Sequence, residues 1–201
     1  MKNKIAIYWG AFNPPTLWHL HVIEQVFKYT EIKKIIIVPD WFRLDKNYWI
    51  DEKYRNDLIN IFISELNKNW FNVEIETYFL EWKNKSDTTT YEVDKYFINK
   101  LKFQPYHIFW TDISNWIKNW SWNPNKYIQK KLKKIFIPRM WYEFDNFDLE
   151  NYKLLETNIE SNISSTKIKE NINKNLKIDK LVMKKIEKYI KDNKLYWWLN
   201  I

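Results

Sequence analysis

Two stretches of this chain combine residue types that bind phosphate. The first, Gly10-Ala11-Phe12-Asn13-Pro14-Pro15-Thr16-Leu17-Trp18-His19, lies between a short apolar run, Lys4 to Tyr8, and a segment with helical spacing. A tight turn entering a helix N-terminus aims backbone N–H groups and the positive end of the helix dipole at one point, which suits an anion. Glycine at such a turn lets a nucleotide approach the backbone, so Gly10, Ala11 and Phe12 are candidate phosphate contacts. The second stretch is Ile163-Ser164-Ser165-Thr166-Lys167-Ile168-Lys169. It offers hydroxyls and free amides at a helix start, with the Lys169 cation one turn on. The chain has no cysteine, which excludes disulfides, thiolate metal sites and cysteine nucleophiles.

The elements that must position these stretches follow from periodicity. Lys4 to Tyr8 and Ile35 to Val38 are continuous apolar strands, the second stopped by Pro39. His19 to Tyr29 and Asp51 to Asn67 carry apolar residues at helical steps, and Val93, Phe97 and Leu101 mark a third helix. Asn72 to Phe79, His107 to Phe109, Ile135 to Ile137 and Tyr152 to Glu156 read as further strands. Asp179 is placed as the N-cap of a final helix with Val182, Ile186 and Ile190 on its apolar face. Strands alternating with helices, with apolar runs too continuous for a half-exposed sheet, predict an α/β fold: a parallel sheet covered on both faces. At 201 residues one domain is expected, with no internal repeat.

Composition sets further limits. No apolar run approaches about 18 residues, so no transmembrane helix is expected. Ile5 to Tyr8 is too short for a signal-peptide core, and a soluble cytoplasmic protein is the reading. The net charge of +8 comes almost wholly from lysine, since arginine occurs three times among 33 basic residues. Those lysines are dispersed, and the densest run, Lys126 to Lys134, sits beside a helix end. A solvated lysine-rich surface is therefore preferred to a nucleic-acid-binding face.

Glycine occurs once and tryptophan 13 times. Average usage predicts roughly 14 glycines in a chain of this length, the number the two types reach together. Asp40-Trp41, Asn69-Trp70, Asn115-Trp116 and Asn119-Trp120 would be ordinary turn dipeptides with glycine in place of tryptophan. The chain is rich in Lys, Asn, Ile, Phe and Tyr, as AT-rich genomes encode, and UGA means tryptophan in one variant code and glycine in another. Most of these tryptophans are thus expected to be glycine in the native protein. Trp18, inside the first motif, and Trp9 and Trp110, at the ends of adjacent strands, are expected to crowd a nucleotide together.

With glycine at 9 and 18, the first motif resembles the signature of the nicotinate-mononucleotide adenylyltransferase family, within the nucleotidyltransferase superfamily. Thr16-Leu17-Trp18-His19 matches the superfamily's His-or-Thr, any, Gly, His pattern except at Trp18. Ile163 to Lys169 is similar to the family's Ile-Ser-Ser-Thr segment, with Lys169 where arginine is usual. This keeps the charge and loses the bidentate fork. Phe109-Trp110-Thr111-Asp112 resembles a Gly-x-Asp strand end, Thr90-Tyr91-Glu92-Val93-Asp94 a helix-opening segment by the pyridine nucleotide, and Ile137 to Tyr142 an Arg-Pro-Gly-Tyr segment. Lys46 and Arg55 stand where the family has a Lys and an Arg, although the Trp41 to Asp45 loop departs from its pattern.

The resemblance implies a Rossmann-like nucleotidyltransferase domain over residues 1–201, with a C-terminal helical part from about 164. It implies adenylyl transfer from ATP to nicotinate mononucleotide, giving the dinucleotide and pyrophosphate. His19 and Thr16 would act on the reacting phosphates. Gly10, Ala11, Phe12, Ser164, Ser165, Thr166 and Lys169 would hold ATP phosphates. Lys46, Arg55, Thr90, Tyr91, Asp112 and Arg139 would bind the pyridine mononucleotide. Mg²⁺ would come with ATP rather than through a protein cage. His21 and His107 read as structural. A superfamily relative using nicotinamide mononucleotide or pantetheine phosphate is the alternative enzyme, and a basic, aromatic-rich nucleic-acid-binding module is the alternative from another class.

Intact mass of the protein from its own cell tests the composition argument. The expected mass falls below that of the written sequence by a whole multiple of the tryptophan-to-glycine difference. A mass carrying every tryptophan rejects the substitution.

Overall fold

The computed structural model describes residues 4–40, 50–80, 89–118, 125–139, 142–146, 149–156 and 163–197. Six strands, β1 (Ile5–Gly10), β2 (Lys34–Pro39), β3 (Val73–Ile75), β4 (Tyr106–Trp110), β5 (Lys133–Ile137) and β6 (Tyr152–Leu154), form one sheet in the order β3-β2-β1-β4-β5-β6. Every pairing is parallel, with Ile7 level with Ile36 on one side and with His107 on the other. The helices are α1 (Leu17–Tyr29), α2 (Glu52–Lys68), α3 (Thr90–Leu101), α4 (Asp112–Lys118), α5 (Asn125–Lys130), α6 (Ser165–Asn173) and α7 (Lys184–Asp192).

The strand period of two sorts the apolar runs onto both faces. Ile35 and Ile37 join Val22 and Val26 of α1, Leu58 and Phe62 of α2, Ile168 of α6 and Ile186 of α7 in one core. Ile36 and Val38 turn the other way, onto Val93 and Phe97 of α3. Phe109 and Phe136 pack on Ile117 of α4 and Ile128 of α5. The predicted α/β architecture with helices on both faces is what forms.

Local departures have physical causes. The third strand is confined to Val73–Ile75, because the chain turns into a 3₁₀ segment at Tyr78–Leu80 that buries Phe79 and Leu80. The last helix starts at Lys184, with Met183 rather than Asp179 at the N-cap position and no side-chain cap. The turn before it sends the Leu181 carbonyl to the Leu17 amide at 2.9 Å, so a tertiary bond takes an acceptor a helix would use. Val182, Ile186 and Ile190 are buried as the spacing predicts.

Two buried polar groups tie helices to the sheet. Asp94 accepts from Tyr127 (2.6 Å) and Gln104 (3.1 Å) and meets His107 Nε2 at 3.0 Å. Burial alone would raise the Asp94 carboxyl, but the bonds from His107, Tyr127 and Gln104 outweigh it and hold the group below its ordinary value. Lys134 corrects the expectation that the lysine run is solvated throughout. It is fully buried, and its ammonium donates to the carbonyls of Ile128, Gln129 and Leu132 at 2.7, 3.2 and 2.7 Å, closing the end of α5. Burial pushes its pKa down to about 8.

At the end of α2 the tryptophan question becomes geometric. The Phe71 amide bonds to the Leu66 carbonyl at 3.3 Å and the Trp70 amide to Asn67 at 3.2 Å, the two bonds of a Schellman cap. Trp70 therefore occupies the left-handed position, φ 67°, and its indole is 96% exposed. That backbone favours glycine, and the side chain recovers nothing by burial.

Trp70→Gly is expected to stabilise the protein by about 1 kcal/mol. A higher denaturant midpoint at unchanged slope checks this. Trp70→Ala, which keeps a Cβ in the left-handed region, should gain markedly less.

Candidate active site

The sheet order reverses beside β1: β2 lies on one side and β4 on the other. Connections leaving neighbouring strands in opposite directions open a crevice at their carboxyl ends, where open α/β sheets bind ligands. The β1–α1 loop, residues 11–16, and the end of β4 border this crevice.

The first motif is held rigidly. Thr16 is the N-cap of α1 and is buried. Its hydroxyl accepts from the His19 amide at 3.3 Å and lies 2.8 Å from His19 Nδ1, while its own amide donates to the same Nδ1 at 3.0 Å. A ring nitrogen that accepts a backbone N–H carries no proton, so the neutral imidazole holds its proton on Nε2. The histidine thus closes a capping box, which fixes its ring by two bonds to one residue. Gly10 ends β1, and its carbonyl accepts the Asp40 amide at 3.0 Å. Phe12 adopts φ 46° and sinks its ring into the core against Tyr8 and His19, leaving only its backbone to face a ligand.

The second motif begins α6 as the residue types predict. Ser164 is its N-cap, accepting from Lys167 N at 3.1 Å. Ser165 donates its hydroxyl to the Pro14 carbonyl at 2.9 Å, joining the two motifs across 151 positions of sequence. Thr166 is exposed, and the Lys169 ammonium lies 5.9 Å from the Tyr196 ring centre.

Asp112 and Arg139, 27 positions apart, come together at the ends of β4 and β5. Arg139 Nη1 donates to Asp112 Oδ2 at 2.6 Å, and its amide donates to Thr111 Oγ1 at 3.0 Å. The second Asp112 oxygen, Oδ1, is buried without a hydrogen-bond partner among the described residues. Thr111 escaped sequence reasoning, because a threonine at a strand end carries no signal until β5 is laid beside it.

The remaining candidates divide. Thr90, the first residue of α3, is buried behind a capping box made by Thr89 and Glu92. Tyr91 packs edge-on against Tyr127, with the Lys95 ammonium over both rings. Arg55 is buried in α2, where its Nη1 donates to the Asp40 carbonyl at 2.5 Å, so it braces the end of β2 from inside. Lys46, and the loop from Trp41 to Asp45, lie outside the described residues. His107 is structural, through Asp94, and His21 stacks on Trp18, where burial lowers its pKa.

Of the three tryptophans expected to crowd one cleft, two come together. Trp18 and Trp110 stack at 5.3 Å with an interplanar angle of 10°, bridging α1 and β4 across the crevice. Trp9 packs with Ile5 and Ile7 on the opposite face, because alternate residues of β1 point apart. Tyr8, another residue with no motif to mark it, keeps a buried hydroxyl without a hydrogen-bond partner among the described residues. Burial pushes that hydroxyl well above its ordinary pKa, so it stays a neutral donor beside His19.

Known proteins resemble this chain over nearly its whole length. A protein of Acholeplasma laidlawii (strain PG-8A), named probable nicotinate-nucleotide adenylyltransferase, is 29% identical over 197 residues, covering 96% of this chain and 97% of its own. A protein of the same name from Staphylococcus haemolyticus (strain JCSC1435) is 27% identical over 199 residues, covering 97% of each. The solved nicotinic acid mononucleotide adenylyltransferase of Plasmodium falciparum, complexed with NaAD, superposes with a TM-score of 0.79 at 22% identity, covering 96% of this chain and 97% of its own. That likeness establishes a shared fold. Residues 7–171, from β1 nearly to the end of α6, match the family described as cytidylyltransferase-like, and the chain belongs to that family.

Proposed function

We propose that this protein is a nicotinate-nucleotide adenylyltransferase, joining the adenylyl group of ATP to nicotinate mononucleotide and releasing pyrophosphate. The capped Thr16–His19 pair at the sheet's switch point, tied to the hydroxyl-rich start of α6, carries the reading. The relatives' names and their near-complete coverage of the chain support the choice of acceptor.

In the reaction a phosphate oxygen of the mononucleotide attacks the α-phosphorus of ATP, and the bond to the β-phosphate oxygen breaks. No protein nucleophile is needed, so the residues act by positioning and charge. His19 donates from Nε2 to the phosphate oxygens that gain charge. Thr16 acts through His19, setting its tautomer and angle. The backbone of Gly10, Ala11 and Phe12 lines the approach. Ser164, Thr166 and Lys169 hold the leaving pyrophosphate; Ser165 contributes its amide, its hydroxyl being committed to Pro14. Asp112 and Arg139 bind the nucleotides, with Asp112 Oδ1 as an acceptor awaiting a donor. Tyr91 and Lys46 complete the pyridine side, and Thr90 and Arg55 support it from within. Mg²⁺ would come with ATP, neutralising charge on its phosphates, rather than through a protein cage. Residues 1–201 act as one nucleotidyltransferase domain, with the helical part from about 164 as its phosphate-side wall. No described helix is long and apolar enough to cross a membrane. The ATP that the reaction consumes favours a cytoplasmic setting.

A protein made with glycine at positions 9, 18 and 110 is expected to release pyrophosphate from ATP when given nicotinate mononucleotide. The chain with tryptophan there should bind ATP far more weakly, since the stacked indoles of Trp18 and Trp110 span the crevice. Absence of pyrophosphate with either pyridine mononucleotide defeats the assignment.

In the active protein, His19→Ala should lower kcat about 10²-fold, because a donor to developing phosphate charge acts in the transition state. Steady-state kinetics beside a denaturation curve decide it. An unchanged kcat makes His19 a cap and nothing more.

A further inference from the structure

The last described turn of the chain reaches back to the first motif. Helix α7 ends in a Schellman cap, with Lys194 N bonded to the Lys191 carbonyl at 3.1 Å and Leu195 N to Ile190 at 3.0 Å. The cap delivers Tyr196 inward, at φ 68° and 2% exposure, into the core that also holds Phe12, Ile168 and Ile190. Its hydroxyl donates to Asn13 Oδ1 at 2.6 Å, a bond spanning 183 positions. Asn13 is itself buried, between the strained Phe12 and the proline pair that leads to Thr16. The other side of the same ring lies 5.9 Å from the Lys169 ammonium in α6, a cation–π distance. One side chain therefore touches the β1–α1 loop with its hydroxyl and the cation of the second motif with its ring.

From this juxtaposition we infer that Tyr196 is a positioning residue, holding the β1–α1 loop in register with α6 and so setting the distance between His19 and Lys169. The inference rests on the adenylyl-transfer reading for its catalytic consequence, but not for the brace itself. Ser165 to Pro14 and Leu17 to Leu181 also tie this region to the C-terminal third. Both fix backbone carbonyls or amides on the α1 side of Asn13. Tyr196 holds the turn itself, by a side chain that a tyrosine alone can supply: an aromatic face for a cation and a rigid hydroxyl beyond it. Burial keeps the hydroxyl protonated far above its ordinary range, so the donor persists wherever the enzyme works.

The test compares Tyr196→Phe, which keeps the ring under Lys169 and removes the bond to Asn13, with the parent carrying glycine at 9, 18 and 110. Amide hydrogen exchange of residues 11–19 is followed by mass spectrometry, beside the denaturation midpoint and the steady-state constants for ATP and nicotinate mononucleotide. Exchange in that loop should quicken about tenfold beyond any change in the α2 and β2 amides, and kcat should fall about tenfold while KM moves less. Asn13→Ala should lower kcat by a similar factor, and the double variant by no more than either alone, as for residues acting through one bond. Loop exchange that changes only in step with global stability overturns the brace. Quickened exchange with kcat unchanged overturns the positioning role. If the parent itself makes no pyrophosphate, the functional reading has failed, and the exchange result still decides whether Tyr196 holds the loop.

Discussion

The reversal of sheet order at β1 governs the rest of the molecule. With β2 on one side of β1 and β4 on the other, the connections leave in opposite directions, and the loop after β1 is left facing a crevice. A loop there cannot take its hydrogen bonds from a neighbouring strand. It takes them from the far end of the chain instead: Ser165 on Pro14, Leu181 on Leu17 and Tyr196 on Asn13. Each such bond contributes about 1 kcal/mol net, but leaving its buried partner unmade costs more. The C-terminal helices therefore fix the loop geometry as well as covering the sheet.

The molecule treats its buried polar groups in two ways. Some are saturated: Asp94 has three partners and the Lys134 ammonium three carbonyls. Beside the crevice Tyr8 Oη and Asp112 Oδ1 lack a hydrogen-bond partner among the described residues. An unmet buried polar atom costs on the order of 1–3 kcal/mol, and it recurs here at the strand ends where a nucleotide would supply the missing partner.

The tryptophans separate by the same physical test. Trp70 stands in a left-handed helix cap with its ring in water, so neither backbone nor burial favours it. Trp18 and Trp110 have the opposite character: they bury surface by stacking, but in the space that the switch point opens for a ligand. Glycine meets both cases, by conformational freedom in the first and by volume in the second.

The sequence by itself determined the alternation of strands and helices, the continuous apolar strands that require cover on both faces, and the two phosphate-type helix starts. These depend on residue type and near-neighbour spacing: Ile35 to Val38 can be nothing but a buried strand, and Thr16 and Ser164 cap wherever a helix follows. Boundaries were less legible. Asp179 had the chemistry of a cap, but the Leu181 carbonyl was drawn to Leu17 and the helix began four residues beyond where that cap would start it. Only the tertiary structure decided that Arg139 meets Asp112, that Arg55 turns inward, that Trp9 faces away from Trp18, and that Tyr196 closes on Asn13. Those facts depend on which strand lies beside which and on where a helix axis points, and contacts between residues 27 or 183 positions apart leave no periodicity in a single chain to be read.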